Sequence, residues 1–437
     1  MFKTLKNALK VKEIRSGLMF TFFILIIVRF GSMIPVPGLD TEAVKQYLET
    51  TLGDANNFLS SFTGGSFTQM SIFALNVTPY ITSSIIMQLL TIAIPALEEM
   101  QKDGEDGRKK ITAITRYLTI VLSVVESLGL AVGFDRGHYL TITGPMGYLL
   151  IIVTLTTGSA FVMWLGERVT DYGVGNGISI ILLINIVSRM PSDFSDLYVK
   201  FVKDKDIVNA IIAAAIIIAV IVVTVVLVVL LQDGVRKVPV QYAQKVQGRR
   251  NVGGQSSHIP MKVNTSSVIP VIFASSILSL PSVFISLFNL NPSGVWSKIL
   301  RGMNSNYWFN PNYPWASVGL IVYILLVFFF AYFYTSVTFN PMEIANNMKK
   351  SGGFIPGIRP GKPTQDYLNR ILNYIVFIGA VGLIIVALIP VFFNGRFGAN
   401  VSFGGTSLII IVGVIIETIK QMESKMIVRN YSGFLTD

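Results

Sequence analysis

Ten apolar segments, most of them long enough to cross a lipid bilayer, recur along this sequence. One of them, 208–231, contains no charged side chain. Backbone polar groups inside a bilayer must be paired within the protein, so each segment predicts a helix. The predicted spans are 17–34, 71–91, 112–132, 147–165, 178–187, 208–231, 268–287, 316–337, 371–393 and 408–419.

Composition supports the same fold class. The 437 residues are 52% hydrophobic and 14% charged, whereas a soluble globular domain is typically about 25% charged. A soluble chain is therefore excluded, and we predict an all-α polytopic membrane protein. The apolar run near the N-terminus lacks a signal-peptide cleavage pattern, so we expect it to be retained as a membrane anchor.

The second span, 71–91, is unusually polar for a helix that faces lipid. Pro79 cannot donate a backbone hydrogen bond and disfavours helical geometry at Thr78, so we expect a kink or a break there. Upstream, 58–70 is amphipathic and is split by Gly64 and Gly65. Two interpretations remain open: a short segment that dips into the membrane and is buried in protein, or an ordinary proline-kinked span after a surface loop.

The motif of the second span returns in the seventh. Residues 77–86 align with 268–277 without a gap, and Val, Pro, Ile, Ser and Ile recur in register. The two spans occupy the same place in two five-helix halves, which we place at 17–190 and 207–419. An odd number of spans gives the halves opposite orientations, and matching interrupted helices indicate a central pathway between them.

The positive charge lies mainly on one side of this topology. Most of the 35 Lys and Arg residues fall on the side of the membrane that holds the N-terminus. On the other side acidic and basic residues are equal in number, so the whole net charge of +11 lies on the side of the N-terminus. The positive-inside rule places both termini in the cytoplasm. We predict an interfacial helix at 1–16 and a cytoplasmic tail at 420–437.

Two cytoplasmic loops are too long to be simple connectors. The loop 233–264 has two extended arms around a basic, glycine-rich tip that carries Arg249 and Arg250. The loop 339–366 carries Lys349 and Lys350, followed by a stiff run of prolines and glycines that contains Arg359. Solvated connectors and docking surfaces for a large partner are both compatible with this charge.

The sequence contains no recognisable catalytic motif. It has no cysteine and two histidines, which fall in loops on opposite sides of the membrane, and no nucleotide-binding loop is present. We expect no enzyme activity, cofactor or metal. The one acid predicted deep in the bilayer, Glu126, is a poor basis for an ion-coupled secondary transporter, which remains the alternative function. Small polar groups in spans are also ordinary packing devices.

Several motifs together resemble the SecY family, the channel subunits of the bacterial Sec protein-translocation complex. The motifs are IPVPG (34–38), SIFALNVTPYI (71–81), WLGE (164–167), GVGNGISI (173–180), QGRR (247–250), VIPVIFASS (268–276), NNMKKSGGFIPGIRPG (346–361) and FGGTSLII (403–410). The resemblance implies ten transmembrane helices in two inverted halves around an hourglass pore. It also implies a protein-conducting channel of the bacterial cytoplasmic (inner) membrane, which passes unfolded secretory polypeptides and releases membrane segments laterally into lipid.

The resemblance assigns residues to three parts of such a channel. An apolar ring at the waist falls on Val77, Ile81, Ile178, Leu182, Ile272 and Ile410, where Val77 and Leu182 depart from the usual isoleucine. A plug falls on about 57–73, with Phe62, Gly64, Gly65 and Phe67. A lateral gate between the second and seventh spans falls on Thr78, Ser84, Gln88, Ser275 and Ser276. An apolar ring can exclude ions by dewetting and still yield to a polypeptide.

The resemblance also implies partners. These are SecE as a clamp, SecG, the motor ATPase SecA, the ribosome, signal sequences, the translocating polypeptide and membrane lipid. SecA and the ribosome are expected on the cytoplasmic loops, at Arg249, Arg250, Lys349, Lys350 and Arg359. Because the chain has no nucleotide site of its own, the driving force must come from a partner.

The one-sided charge leads to a test of topology. Single cysteines placed at Gly254, Gly353 and Thr436 should react with a membrane-impermeant thiol reagent from the cytoplasmic side only, since the chain has no cysteine of its own. The measurement is labelling of intact cells against inverted membrane vesicles. Labelling of any of the three from outside would reverse the predicted orientation.

Overall fold

The computed structural model describes residues 9–48, 60, 63–203, 205–242, 245–247, 250–252, 256–287, 294–397 and 405–432. Most of them are helical. The helices are α1 Lys12–Gly31, α2 Thr41–Tyr47, α3 Thr78–Ala93, α4 Pro95–Lys102, α5 Gly104–Arg136, α6 Pro145–Tyr172, α7 Gly177–Phe201, α8 Ile207–Asp233, α9 Ile269–Leu287, α10 Val295–Met303, α11 Val318–Thr338, α12 Pro341–Lys350, α13 Lys362–Phe397 and α14 Gly405–Ser432.

Each of the ten predicted spans falls wholly or largely within a helix, but not every helix has the length and composition of a full membrane crossing. Within the described residues, seven are long and apolar enough, and the pair α3 and α4, bent by 103°, makes an eighth. In α9 the apolar portion is the shorter Ile269–Ser279. The chain is thus a multi-pass helical membrane protein, and the count of ten crossings stays a prediction.

The predicted break at Pro79 is confirmed. Residues 71–77 form turns, and α3 begins at Thr78 with Pro79 in its first turn, where a missing N–H costs the helix nothing. The predicted helix over 71–91 is therefore wrong for its first seven residues. The second copy of the motif also starts a helix at its proline: α9 begins at Ile269, and Pro270 is its next residue.

Most helices extend beyond their predicted spans, and three of the extensions change the expected picture. α7 begins where the Asn176 side chain accepts a hydrogen bond from the Ser179 N–H at 3.2 Å, and it continues through Pro191 to Phe201. The helix thus extends well beyond the short span predicted at 178–187. α14 continues to Ser432, and α1 already begins at Lys12, inside the stretch predicted as an interfacial helix; residues 1–8 lie outside the described residues.

The two long loops meet in one small sheet. β1 Val235–Tyr242 and β4 Ser256–Lys262 pair antiparallel, from Val235 opposite Lys262 to Gln241 opposite Ser256, which confirms the two predicted arms. β5 Gly353–Phe354, from the second loop, pairs with the other edge of β1. At the tip, β2 Lys245–Gln247 pairs with β3 Arg250–Val252. Arg249 lies outside the described residues, and Arg250 is described by its backbone only.

The second loop is more structured than its sequence predicts. α12 and β5 occupy much of 339–366, and Asn340 caps α12 by accepting from the N–H groups of Met342 and Glu343. A hydrophobic core under the sheet holds Ile355 and Leu368, which are 2% and 0% exposed. Both loops are thereby fixed to the end of the helical bundle.

Packing in the first half produces a stability prediction. A Cβ built at Gly158 in α6 would lie 1.9 Å from the carbonyl oxygen of Ile72, whereas one built at Gly129 in α5 meets nothing within 4 Å. Gly158→Ala should lower the stability by about 1–3 kcal/mol through overpacking, and Gly129→Ala should not. The measurement is thermal unfolding in detergent; equal melting temperatures for the two variants would contradict this close approach.

Candidate functional site

The six residues assigned to the ring lie in one hydrophobic cluster. Three helices supply four of its half-buried or buried members along the middle of the molecule: Ile81 in α3, Ile178 and Leu182 in α7, and Ile272 in α9. Val77, just before α3, and Ile410 in α14 complete the set, and both are at least nine-tenths buried. Residues separated by more than three hundred positions thus pack into one aliphatic cluster where the two halves meet, at the place assigned to the ring.

A cavity of about 720 Å³ borders this cluster. Five of the six ring residues line it, and Val77 does not. Beside these aliphatic residues, the cavity wall carries amides and hydroxyls from both halves of the chain. They include Ser84, Gln88, Ser179, Gln232, Asn264, Thr265, Ser267 and Gln421. The charged lining residues are Lys262, Glu417 and Lys420, and all three are exposed.

The described part of the segment assigned to the plug contacts α7 beyond the ring residues, on the side away from the cavity. A Cβ built at Gly64 would be 2.9 Å from the Cα of Asn185, which is three residues beyond Leu182 on α7, or roughly 4.5 Å at 1.5 Å per residue. The cavity-lining residues of α7 all lie at or before Leu182. The ring therefore separates the cavity from this segment.

Local contacts hold the described part of that segment in place. Arg29 of α1 donates to the Gly64 carbonyl at 3.4 Å, and Gly64 and Gly65 have φ of +65° and +85°, a conformation that glycine adopts without strain. Phe67 is 6% exposed in a core with Val36 and Met70. The Val36 N–H donates to the Met70 carbonyl at 2.9 Å. Phe62 lies outside the described residues.

The residues assigned to the lateral gate do not all face the same way. Ser84 and Gln88 line the cavity, and the Tyr334 hydroxyl of α11 donates to the Gln88 Oε1 at 3.0 Å. Ser275 instead forms a side-chain hydrogen bond with Tyr323, also of α11. Thr78 and Ser276 are half-buried and are not part of the described cavity wall. The Gln88–Tyr334 bond joins the two halves, and no sequence pattern predicts it.

The basic residues of the second loop lie apart from the cavity wall. Arg359 is exposed between Gly357 and Gly361, whose φ values are +82° and +101°. Its carbonyl accepts from the Thr364 hydroxyl at 2.9 Å, so the backbone of the loop is fixed while the side chain points outward. Lys349 and Lys350 are exposed in the last turn of α12.

The site is a cavity lined by aliphatic, amide and hydroxyl side chains with a few charged ones. Within the described residues, no group of three or more His, Asp or Glu is placed to hold a metal ion. The fold and the site together define a class: polytopic helical membrane channels whose two halves enclose a cavity of mixed polarity beside an aliphatic cluster.

The particular family follows from comparison with known proteins. The SecY family model matches residues 71–419. The chain is 42% identical over 443 residues to the protein translocase subunit SecY of Bacillus subtilis (strain 168) and 43% identical over 444 residues to that of Bacillus licheniformis, with all of each chain covered. This chain belongs to the SecY family.

Solved structures agree on the fold. A SecY protein whose plug domain stabilises the closed state of its translocation channel matches with a TM-score of 0.63 at 21% identity, covering 95% of this chain and 94% of that one. Sec61 from a canine ribosome–channel complex matches with a TM-score of 0.60 at 19% identity and the same coverage. At these identities the likeness concerns the fold.

The aliphatic constriction generates a prediction about ion leakage. Ile81→Ser combined with Ile272→Ser should let water persist at the ring, because hydroxyls wet a pore that aliphatic side chains keep dry. Ion conductance of reconstituted channels should rise several-fold. The matched control is Ile92→Ser with Ile277→Ser, on the same two helices but on outward-facing positions that are 50% and 38% exposed. Unchanged conductance in a folded Ile81/Ile272 variant would remove both residues from the barrier.

Proposed function

We propose that this chain is the channel subunit of a bacterial protein translocase, through which unfolded secretory polypeptides cross the cytoplasmic membrane. The observation that carries the proposal is a cavity between the two halves, lined by polar and apolar side chains, that borders an aliphatic cluster contributed by four helices and the turn before α3. Membership of the SecY family and the full-length similarity to translocase subunits support it.

The ring suits a substrate of any sequence. Aliphatic side chains offer an ion no ligand, so a narrow apolar constriction blocks hydrated ions. They also make no fixed hydrogen bonds, so they can be pushed aside by a passing chain at little polar cost. In this proposal Val77, Ile81, Ile178, Leu182, Ile272 and Ile410 form the seal.

The plug adds a second barrier. The described part of 57–73 packs against Asn185 and Arg29, one helical turn beyond the ring on the side away from the cavity. A polypeptide that enters through the cavity must therefore displace this segment after it passes the ring. We assign Gly64, Gly65 and Phe67 to the plug on this ground, and Phe62 on the family resemblance alone.

A lateral gate between α3 and α9 completes the channel. Both helices line the cavity, at Ser84 and Gln88 on one side and at Ile269 and Ile272 on the other. Separating the halves here breaks the Gln88–Tyr334 hydrogen bond, so that bond stabilises the closed gate. Signal sequences and membrane segments would leave toward lipid through this opening.

Partners provide the driving force. We assign SecA and the ribosome to the sheet and loop surface that carries Arg250, Lys349, Lys350 and Arg359, with Arg249 expected beside them. SecE would clamp the two halves together, and SecG would be a further subunit of the complex. The fold likeness to Sec61 of a ribosome–channel complex supports a ribosome partner.

A secondary transporter fits the site less well. The wall near the ring carries hydroxyls and amides, and the acid in the lining, Glu417, accompanies the lysines. A coupled transporter normally keeps ionisable groups near the middle of the membrane. Transport of a polypeptide, rather than substrate-dependent ion flux, is the discriminating measurement.

The function and the role of Arg359 can be tested in one assay. Vesicles that contain the chain, its clamp subunit and the motor ATPase should protect a secretory precursor from added protease when ATP is present. Empty vesicles provide the control. If a channel with an intact cavity transports no precursor, the proposed function is wrong.

The same assay compares Arg, Lys, Ala and Glu at 359. The guanidinium is held outward and has no partner among the described residues, so an external acidic or carbonyl-rich surface is its expected contact. Because Lys cannot copy the planar, multi-donor fork, we expect Lys to restore transport only in part, Ala to lose several-fold, and Glu to lose more. Equal transport rates with Arg, Lys and Ala at 359 would mean that the loop is only a connector.

A further inference from the structure

The short helix α10, between the two long helices α9 and α11, has two chemically different sides. At about 3.6 residues per turn, its apolar and polar residues separate onto opposite sides of the helix. The apolar side holds Val295, Trp296, Ile299, Leu300 and Met303, and the polar side holds Ser297, Lys298 and Arg301. Val295 and Trp296 are 71% and 69% exposed. The described part of the protein therefore leaves much of the apolar side uncovered.

Contacts at the C-terminal end of α10 fix its height on the helical bundle. A Cβ built at Gly319, in the first turn of α11, would overlap the Gly302 carbonyl oxygen. The same oxygen accepts a hydrogen bond from the Nε1 of Trp308 at 2.7 Å. In α11 the outward-facing apolar side chains begin at once, since Val318 and Ile321 are 61% and 59% exposed. This end of α10 thus lies at the level where the lipid-facing surface of α11 begins.

The segment around α10 is rich in tryptophan. Three of the four tryptophans of the chain lie between α9 and α11, at Trp296, Trp308 and Trp315. Trp308 is 2% exposed and supports the fold, whereas Trp315 is 40% exposed just before α11 begins. Tryptophan is enriched where a membrane protein passes from lipid into water. Trp296 and Trp315 therefore indicate that this level is the membrane interface.

The charge of the same segment is one-sided. Between 288 and 317 the sequence contains Lys298 and Arg301 and no acid, on the side of the membrane where acidic and basic residues are otherwise nearly equal in number. Arg301 stacks on Tyr313, with its Cζ 5.2 Å from the ring centroid, and Lys298 is exposed. Positive charge beside exposed apolar side chains matches the phosphates and acyl chains of a phospholipid surface.

We propose that α10 is a membrane-binding helix that lies along the bilayer surface, with Trp296 and Ile299 among the lipids and Lys298 at the headgroup phosphates. Lipid is the occupant because the apolar surface of α11 that faces the bilayer continues into α10 at the same level. The helix joins α9 to α11, so lipid holds the C-terminal end of α9 against the membrane. This inference requires a chain that spans a membrane, and it does not depend on the proposed function.

The first test compares the two sides of α10 in a bilayer. Because the chain has no cysteine, Trp296→Cys and Lys298→Cys can each be labelled with bimane and placed in lipid nanodiscs that contain nitroxide-labelled phospholipid. Both native side chains are exposed, so a helix in water predicts equal quenching of the two labels. We expect the nitroxide lipid to quench the label at 296 about threefold more than the label at 298, and dissolved iodide to show the reverse order.

Two results would overturn the proposal. If iodide quenches both labels equally and the nitroxide lipid quenches neither, α10 lies in water. If the label at 296 is shielded from iodide and from the nitroxide lipid alike, protein covers the apolar side of the helix.

The second test addresses the contact of Lys298 with headgroups. With bimane at 296, nitroxide-labelled phosphatidylglycerol should be preferred over nitroxide-labelled phosphatidylcholine by roughly fivefold at low salt, as one lysine near an anionic surface allows. Lys298→Gln should remove most of this preference. The matched control is Lys45→Gln, which removes an exposed lysine of α2 and should leave the preference intact. An equal preference in the two variants would overturn the assignment of Lys298 to the phosphates.

Discussion

The arrangement of the two halves depends on the packing of aliphatic side chains at the place where they meet. Ile81, Leu182, Ile272 and Ile410 belong to one cluster although four different helices supply them. Burial of such side chains is non-directional and scales with area, so the contact is tight without any particular hydrogen bond. A seal of this kind can exclude ions and water and yet be opened without breaking a polar network.

The rest of the architecture positions that seal. α3 and α9 both begin at a proline-containing turn close to the aliphatic cluster. Because α3 does not extend further toward its N-terminus, residues 71–77 can form turns. α7 begins at the Asn176 cap and carries two ring residues in its first two turns. Beyond the ring, Asn185 of the same helix meets Gly64. The continuous helix α7 therefore carries residues that line the cavity, residues assigned to the ring, and a residue that contacts the segment assigned to the plug.

Polar groups near the aliphatic cluster divide into paired and unpaired ones. The Tyr334 hydroxyl donates a hydrogen bond to Gln88 across the two halves. The side-chain amide of Asn264 and the Nε2 of Gln232 have no hydrogen-bond partner among the described residues, and a buried polar atom left unpaired costs on the order of 1–3 kcal/mol.

The sequence by itself determined the elements whose causes are local. Apolar runs predicted the helices, Pro79 predicted the break, and alternating residues on both sides of a glycine-rich tip predicted the paired arms of β1 and β4. Family motifs pointed to the six ring residues, which the structure brings into one cluster. Only the tertiary structure decided the continuation of α7 past Pro191, the turn of Ser275 toward Tyr323, the bond between Gln88 and Tyr334, and the unpaired atoms of Asn264. Each of these depends on neighbours distant in the sequence, and periodicity, capping and turn preferences carry no information about such neighbours.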